Sequence, residues 1–383
     1  MAQEVDPVKT ARLFEFYVRR VWPLQRRLAA GRLARRCTQC GASERMLPLD
    51  AQGLCSACQE QNARGLPPRR APDARLQAEL NQLLAGAQGS GAGCYDALVM
   101  FSGGKDSCYL VQRLKNEHPG LRLLTCTVDN SFMSPVAKHN IDEVLPRLDV
   151  DHVFIRPHRA FYVQLFRHAL THLNEEGSYG TVDFSDGEFM LDAARNLAAE
   201  KQIPLIVCGY SRYQVENGLG LHHFESPPER ERRPRTETAG LRLEDIFADA
   251  DDRRLWWQGA ASPDAAVPRL LFPLYAWDLE ETEIKRQVVD WGLISAKDQS
   301  PIVTNHRLIP LLGVVDVHQL GYSSFEKEFC RMIREGKAER ETWQHTFEFL
   351  EYTARTGLFV KPLVLDLLQQ LDLRAEDVGV RFG

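Results

Sequence analysis

Apolar residues run without a break over 97–101, and over 108–115 they recur at helical spacing. The first pattern predicts a strand covered on both faces, as at the centre of a parallel sheet, and the second predicts a helix packed against it. Strand and helix patterns then alternate: strand 121–129, helix 136–148, strand 152–155, helices 161–173 and 187–201, and strand 204–209. This alternation is the signature of an α/β fold with a doubly wound parallel sheet, whose ligands bind at the carboxyl ends of the strands. The pattern breaks over 225–269, which is rich in Pro, Arg, Glu and Asp and reads as a charged, partly mobile insertion. Trp256 and Trp257 near its end imply that part of it docks, as a substrate cover or a partner contact. Residues 280–291 read as an amphipathic helix, and from Pro301 onward the chain reads mainly as helices. Near the start, Asp6-Pro7 and the apolar spacing behind it predict a helix that Pro23 ends and that packs on its own body.

Between the first strand and its helix stands Ser102-Gly-Gly-Lys-Asp-Ser107. Gly103 and Gly104 let backbone approach an anion with no Cβ in the way. Free N–H groups at a helix start point at such a ligand, and the dipole contributes about 0.3–1 kcal/mol per favourable charge. The Lys105 ammonium adds gross attraction of about 4 kcal/mol at an effective dielectric of 20, before desolvation. Asp106 beside it would repel phosphate alone, so a Mg²⁺ ion bridging carboxylate and phosphates is expected. The loop lacks the four-residue spacing of a Walker A motif. At the same sheet edge, Thr127 and Val128 are candidates to read adenine through backbone groups, and Gly209 closes the fourth strand. Asp129 is a ribose or metal partner, or else the cap of the following turn. Cys108 and Cys208 are nucleophile candidates, or small apolar residues of the core.

Cys37-Thr-Gln-Cys40 and Cys55-Ser-Ala-Cys58, fourteen residues apart, have the spacing of a four-cysteine zinc site. A closed thiolate set implies a structural ion, with an iron–sulfur cluster as the competing reading. Arg35, Arg36 and Arg45 are expected to offset its negative charge. At 383 residues, 44% hydrophobic and 26% charged, the chain can bury a full α/β core and carry a second module. No stretch approaches the roughly 18 apolar residues of a membrane span, and the opening residues lack a signal-peptide core, so a cytoplasmic protein with no membrane partner is expected. Residues 1–36 hold nine Lys/Arg against three Asp/Glu, which leaves −11 on the remainder of a chain of net −5. The acidic body argues against a broad nucleic-acid surface, while the basic arm leaves RNA, tRNA included, or an acidic partner open. Oligomerisation stays open.

Ser102-Gly-Gly-Lys-Asp-Ser107 resembles the PP-loop of the ATP pyrophosphatase superfamily, with its adenine nucleotide alpha hydrolase-like fold. With the cysteine pairs ahead of it, the arrangement resembles the N-acetyl sugar amidotransferases of surface-polysaccharide biosynthesis over about residues 37–345. Ile203-Pro-Leu-Ile-Val-Cys-Gly-Tyr210, Gly313-Val-Val-Asp-Val-His-Gln-Leu-Gly-Tyr322 and Ile333-Arg-Glu-Gly-Lys-Ala-Glu-Arg-Glu341 are similar to family stretches. Five parts are expected: a basic helical arm 1–36, a zinc ribbon 37–62, a PP-loop domain 72–224, the insertion 225–269 and a mainly helical part 270–383 for substrate or partner, of which the arm and the insertion are additions to the family pattern. The resemblance implies cleavage of ATP between the α and β phosphates, adenylation of an acetamido oxygen of a small-molecule acceptor, and displacement of AMP by ammonia from a separate glutaminase. ATP contacts then fall to Ser102, Gly103, Gly104, Lys105, Asp106 and Ser107, with Lys105 and Asp106 catalytic. Tyr210, Arg212, Asn305, His306, Asp316, His318 and Tyr322 become substrate or metal candidates, with packing or capping as the alternative for each. Tyr210-Ser-Arg-Tyr213 and Ser323-Ser-Phe-Glu-Lys327 depart from the family pattern where substrate is expected. Sulfur transfer to tRNA or a small molecule, amide or thioamide formation on a natural product, and a noncatalytic nucleotide-binding role are the competing readings.

Overall fold

A computed structural model of the chain describes residues 6–65, 72–304 and 306–382. Its elements begin with helices α1 (Pro7–Phe16), α2 (Trp22–Ala29) and α3 (Ser56–Ala63). Then come α4 (Ala74–Gly86), β1 (Ala97–Met100), α5 (Lys105–Glu117), β2 (Leu123–Val128), α6 (Pro135–Leu148), β3 (Asp151–Ile155), α7 (Arg159–Thr171), α8 (Phe184–Glu200) and β4 (Leu205–Val207). The stretch after β4 holds α9 (Pro228–Glu231), the hairpin β5 (Glu237–Thr238) and β6 (Leu241–Arg242), α10 (Leu243–Ile246) and α11 (Ala250–Arg254). Strand β7 (Arg269–Leu271) follows, with α12 (Pro273–Trp277), α13 (Glu281–Asp290), α14 (Pro301–Thr304), α15 (Ile309–Gln319), α16 (Glu326–Arg334), α17 (Arg340–Thr356) and α18 (Lys361–Gln370). Two compact units result: a sheet unit of residues 71–165 and 184–305, and a helical unit of 1–70, 166–183 and 306–383. The insertion and residues up to 304 fall in the sheet unit, and 166–183 in the helical one.

The sheet unit is built on five parallel strands in the order β3-β2-β1-β4-β7. Ala97, Leu98 and Val99 of β1 are fully buried at its centre, and α5 sends Cys108, Leu110, Val111 and Leu114 into the same core. Four of these strands follow the sequence pattern. The fifth, β7, has three residues between Pro268 and Pro273, too few for any periodicity to show.

The insertion expected to be partly mobile is anchored by buried charge. Glu231 of α9 accepts from Arg195 Nε of α8 at 2.6 Å, and Arg235 bonds Glu188 at 2.8 Å and Asp192 at 3.0 Å. Burial works against the charge on Arg235, yet Asp192 and Glu188 more than offset it and raise its pKa. Charges removed from water persist only when paired in this way. Trp256 is fully buried with its ring 5.0 Å from that of Phe189, and Trp257 Nε1 donates to the Glu231 carbonyl at 2.8 Å. The run looked mobile because its charges lie far along the chain from their partners.

In the helical unit Asp6 caps α1, accepting from the N–H groups of Val8 and Lys9 at 3.0 Å each. Pro23 does not end this helix, contrary to the sequence expectation. A π-helical turn, Tyr17–Val21, closes with Trp22 N–H on the Tyr17 carbonyl, and α2 continues with Pro23 in its first turn. The wide turn and the first-turn position remove the usual conflict of a proline with a helical carbonyl ladder. The rod's inner face, Val18, Trp22 and Ala29, packs with Phe349 of α17, and Trp22 Nε1 donates to Glu348 at 3.2 Å. No described helix is long and apolar enough to cross a membrane.

Candidate active site and metal centre

The chain leaves the carboxyl end of β1 through Ser102 and turns at Gly103, whose φ of 72° is left-handed. A Cβ there would lie 2.3 Å from the Ala137 carbonyl oxygen and 2.8 Å from Ile141 Cγ1, so only glycine fits between loop and α6. Asn140 Nδ2 donates to the Gly103 carbonyl at 2.9 Å and pins the turn. Gly104 is the N-cap of α5, and no side chain caps that helix. Ser107 braces the loop from within, its Oγ accepting from Ser102 N–H at 3.2 Å and donating to the Gly104 carbonyl at 3.1 Å. Lys105 Nζ stands 2.6 Å from Asp106 Oδ2. The arrangement is an uncapped helix start with an ammonium beside it, which suits an anion carrying several oxygens.

At the end of β2 the Thr127 hydroxyl donates to the Phe101 carbonyl, and Val128 pairs with Ile155 of β3. Asp129 is buried; its Oδ1 caps the turn by accepting from Ser131 N–H at 3.0 Å. Its Oδ2 receives Lys138 Nζ at 3.0 Å and Arg156 Nη2 at 2.8 Å. Burial opposes the charge, but Lys138, the Ser131 N–H and Arg156 outweigh it and hold the carboxyl below its usual range. Asp129 is therefore a turn cap and an anchor for two cations. Neither Lys138 nor Arg156 was singled out from sequence, although Arg156 directly follows a strand and so lies at the ligand-binding edge. Gly209 follows β4 and lies against the backbone of Asp106. The Tyr210 ring stacks on Phe272 with centroids 5.9 Å apart. Arg212 lies over the Tyr275 ring at 4.6 Å and donates to the Tyr275 carbonyl at 3.0 Å, so both side chains are held by the segment after β7.

His306, Asp316, His318 and Tyr322 belong to the helical unit. His306 Nε2 lies 2.8 Å from Asp183 Oδ1. His318 Nε2 donates to the Ala354 carbonyl at 3.0 Å, a packing contact between α15 and α17. Asp316 is fully buried and accepts from the N–H groups of Ser178 and Ser324 at 2.8 Å each, while burial raises its carboxyl to about 6. That is a capping arrangement. Burial also raises the Tyr322 phenol. Asn305 lies outside the described residues.

The four cysteines of the two Cys-x-x-Cys pairs converge. Cys37, Cys40, Cys55 and Cys58 are fully buried, their sulfurs all within 4.8 Å of one another, with Cys37–Cys58 at 3.7 Å and Cys40–Cys55 at 3.6 Å. A tetrahedron with metal–sulfur bonds of about 2.3 Å has edges of about 3.8 Å, so the set fits a single ion. Thiolates bound to separate irons of a cluster stand farther apart. Two of the three arginines expected to balance the site are engaged with carboxylates: Arg35 with Glu44 at 2.8 Å, and Arg36 with Glu326 at 2.9 Å. Helix α16 supplies contacts to the sulfurs, with Arg334 Nη1 at 3.5 Å from Cys40 Sγ and the Cys330 thiol hydrogen-bonded to the same sulfur. Contacts from Cys330, Cys55 and Cys58 hold the Cys40 thiol well below its usual range. The family-like stretch around Ile333 and Arg334 was the available signal. Cys108 and Cys208 take the core reading, since both are buried and burial pushes both thiols up.

Fold and site together define a parallel α/β protein with a glycine phosphate-type loop and a separate four-thiolate metal centre. No protein-family model matches the chain, and no curated protein matches it. Among solved structures it is similar to the U34-tRNA thiolase NcsA from Methanococcus maripaludis, solved with its [4Fe-4S] cluster, at 11% identity over 90% of this chain and 91% of that one, with a TM-score of 0.36. It is also similar to NMN synthetase from Francisella tularensis, at 11% identity over 73% of this chain and 92% of that one, with a TM-score of 0.38. Likeness at that level transfers neither activity nor ligand.

Proposed function

We propose that the sheet unit is an ATP-dependent adenylating enzyme that joins AMP to a carbonyl oxygen of a small-molecule acceptor and then exchanges that oxygen for nitrogen. The observation that carries the reading is the loop at the end of the central strand. Gly103 is forced left-handed beneath the Ala137 carbonyl and presents the uncapped start of α5 beside Lys105. In this reading the loop N–H groups and Lys105 would hold the polyphosphate, and Asp106 would be the residue to hold a Mg²⁺ ion, which would supply charge neutralisation for the phosphates. An amide oxygen attacks the α phosphorus and pyrophosphate leaves. Ammonia adds to the carbon and AMP departs with the oxygen, which leaves an amidine. A separate glutaminase would supply the ammonia, an acetamido sugar is the first acceptor to try, and Zn²⁺ is the ion proposed for the four thiolates.

Sulfur transfer is the weaker reading here. Cys108, Cys126 and Cys208 are buried with their thiols pushed up, Cys126 to about 12, so none is poised to carry a persulfide. Exposed Cys94 precedes β1, at the opposite edge of the sheet from the loop.

The test follows labelled ATP with acetamido sugars and ammonium. AMP and pyrophosphate are expected, with loss of both in Lys105→Ala and a weakened magnesium dependence in Asp106→Asn. ADP as the sole nucleotide product overturns adenylation, and pyrophosphate formed only with tRNA and a sulfur donor moves the enzyme to thiolation. Metal analysis with the visible spectrum separates zinc from iron.

A further inference from the structure

Helices α1 and α2 form a rod with two unlike faces. The inner face packs on α17. The outer face carries Leu13, Phe16, Leu24 and Leu28, which are 38%, 55%, 80% and 90% exposed. Single exposed leucines are ordinary, but here four large apolar side chains recur along one rod. Lys9, Arg12, Arg19, Arg20, Arg27 and Arg32 are exposed on the same stretch. From Lys9 to Arg32 no exposed residue is acidic; Glu15 is part-buried and paired with Arg19 at 2.8 Å.

The exposed surface of this stretch is both apolar and cationic. Arginines alone would suit a nucleic acid, yet phosphates would leave Leu24 and Leu28 in water. At an anionic bilayer, apolar side chains enter the headgroup–acyl boundary while the flanking cations meet phosphates. The remainder of the chain carries −11, so an anionic surface attracts the basic stretch and not the acidic body. The sequence pattern alone expects no membrane partner, because spacing does not reveal which apolar residues the body leaves uncovered. We propose that the α1–α2 rod is an interfacial anchor that lays its outer face on an anionic membrane surface, peripheral rather than spanning.

The full chain is sedimented with vesicles of phosphatidylcholine alone and of phosphatidylcholine with phosphatidylglycerol, at low and high salt. Binding to the anionic vesicles alone, weakened by salt, is the expected result. Leu24→Ser with Leu28→Ser should abolish it, and Arg27→Gln should weaken it about fivefold. These side chains are exposed, so the variants keep the inner face, and far-UV circular dichroism checks their fold. The wild-type salt series stands without them. The inference is overturned if the chain stays in the supernatant, or if the double serine variant binds as wild type. It is also overturned if the outer face instead mediates tRNA binding or self-association, each measured without vesicles. Sedimentation does not depend on the adenylation reading.

Discussion

Gly103→Ala probes the loop with the least change of chemistry. Alanine at a φ of 72° costs about 1–2 kcal/mol of left-handed strain. The new methyl would stand 2.3 Å from the Ala137 oxygen and 2.8 Å from Ile141 Cγ1, and overpacking of this kind costs about 1–3 kcal/mol. The two together amount to about 2–5 kcal/mol if the loop stays in place. If it shifts, the cost falls toward the lower figure, but the Asn140–Gly103 bond of 2.9 Å is lost and the start of α5 no longer points where it did. Urea unfolding followed by circular dichroism reads the stability, and pyrophosphate release at saturating ATP reads the loop. A variant with wild-type midpoint and wild-type release would refute both the tight packing and the role given to the loop.

Asp129→Asn should cost about 1.5–3 kcal/mol, as a carboxylate bonded to two cations becomes neutral. Because the folded carboxyl lies below its ordinary 3.8, its stabilisation is complete above that pH and is lost as pH falls through the depressed value. Urea midpoints of wild type and variant should therefore converge in acid and separate near neutrality; a constant gap would be contrary. Glu231→Ala leaves Arg195 buried without its main partner and should cost about 3–5 kcal/mol by urea unfolding, whereas a loosely held insertion would show almost no change. Arg334→Gln removes a cation from the Cys40 sulfur and should weaken metal affinity about 10–100-fold in a competition with chelator. Affinity equal to wild type would show that α16 merely lies nearby.

Much of this architecture can be read along the chain. Residues 97–101 read as a central strand and 37–58 as a metal ligand set because each signal resides in neighbouring residues. The loop was legible for the same reason, since glycines, lysine and helix start are contiguous. Pro23 misled because a proline usually stops a helix, and the π turn that accommodates it leaves no local mark.

Sequence alone determined the alternation of strands and helices, the phosphate-type loop and the four thiolates, since backbone preference and short spacing are properties of contiguous residues. Tertiary structure alone decided which distant charges meet: Asp129 with Lys138 and Arg156, Arg195 with Glu231, Cys40 with Arg334. It also decided which apolar residues of the first rod remain in water. Burial and pairing arise only when segments far apart in the chain are brought together, and no periodicity within one segment encodes its partner.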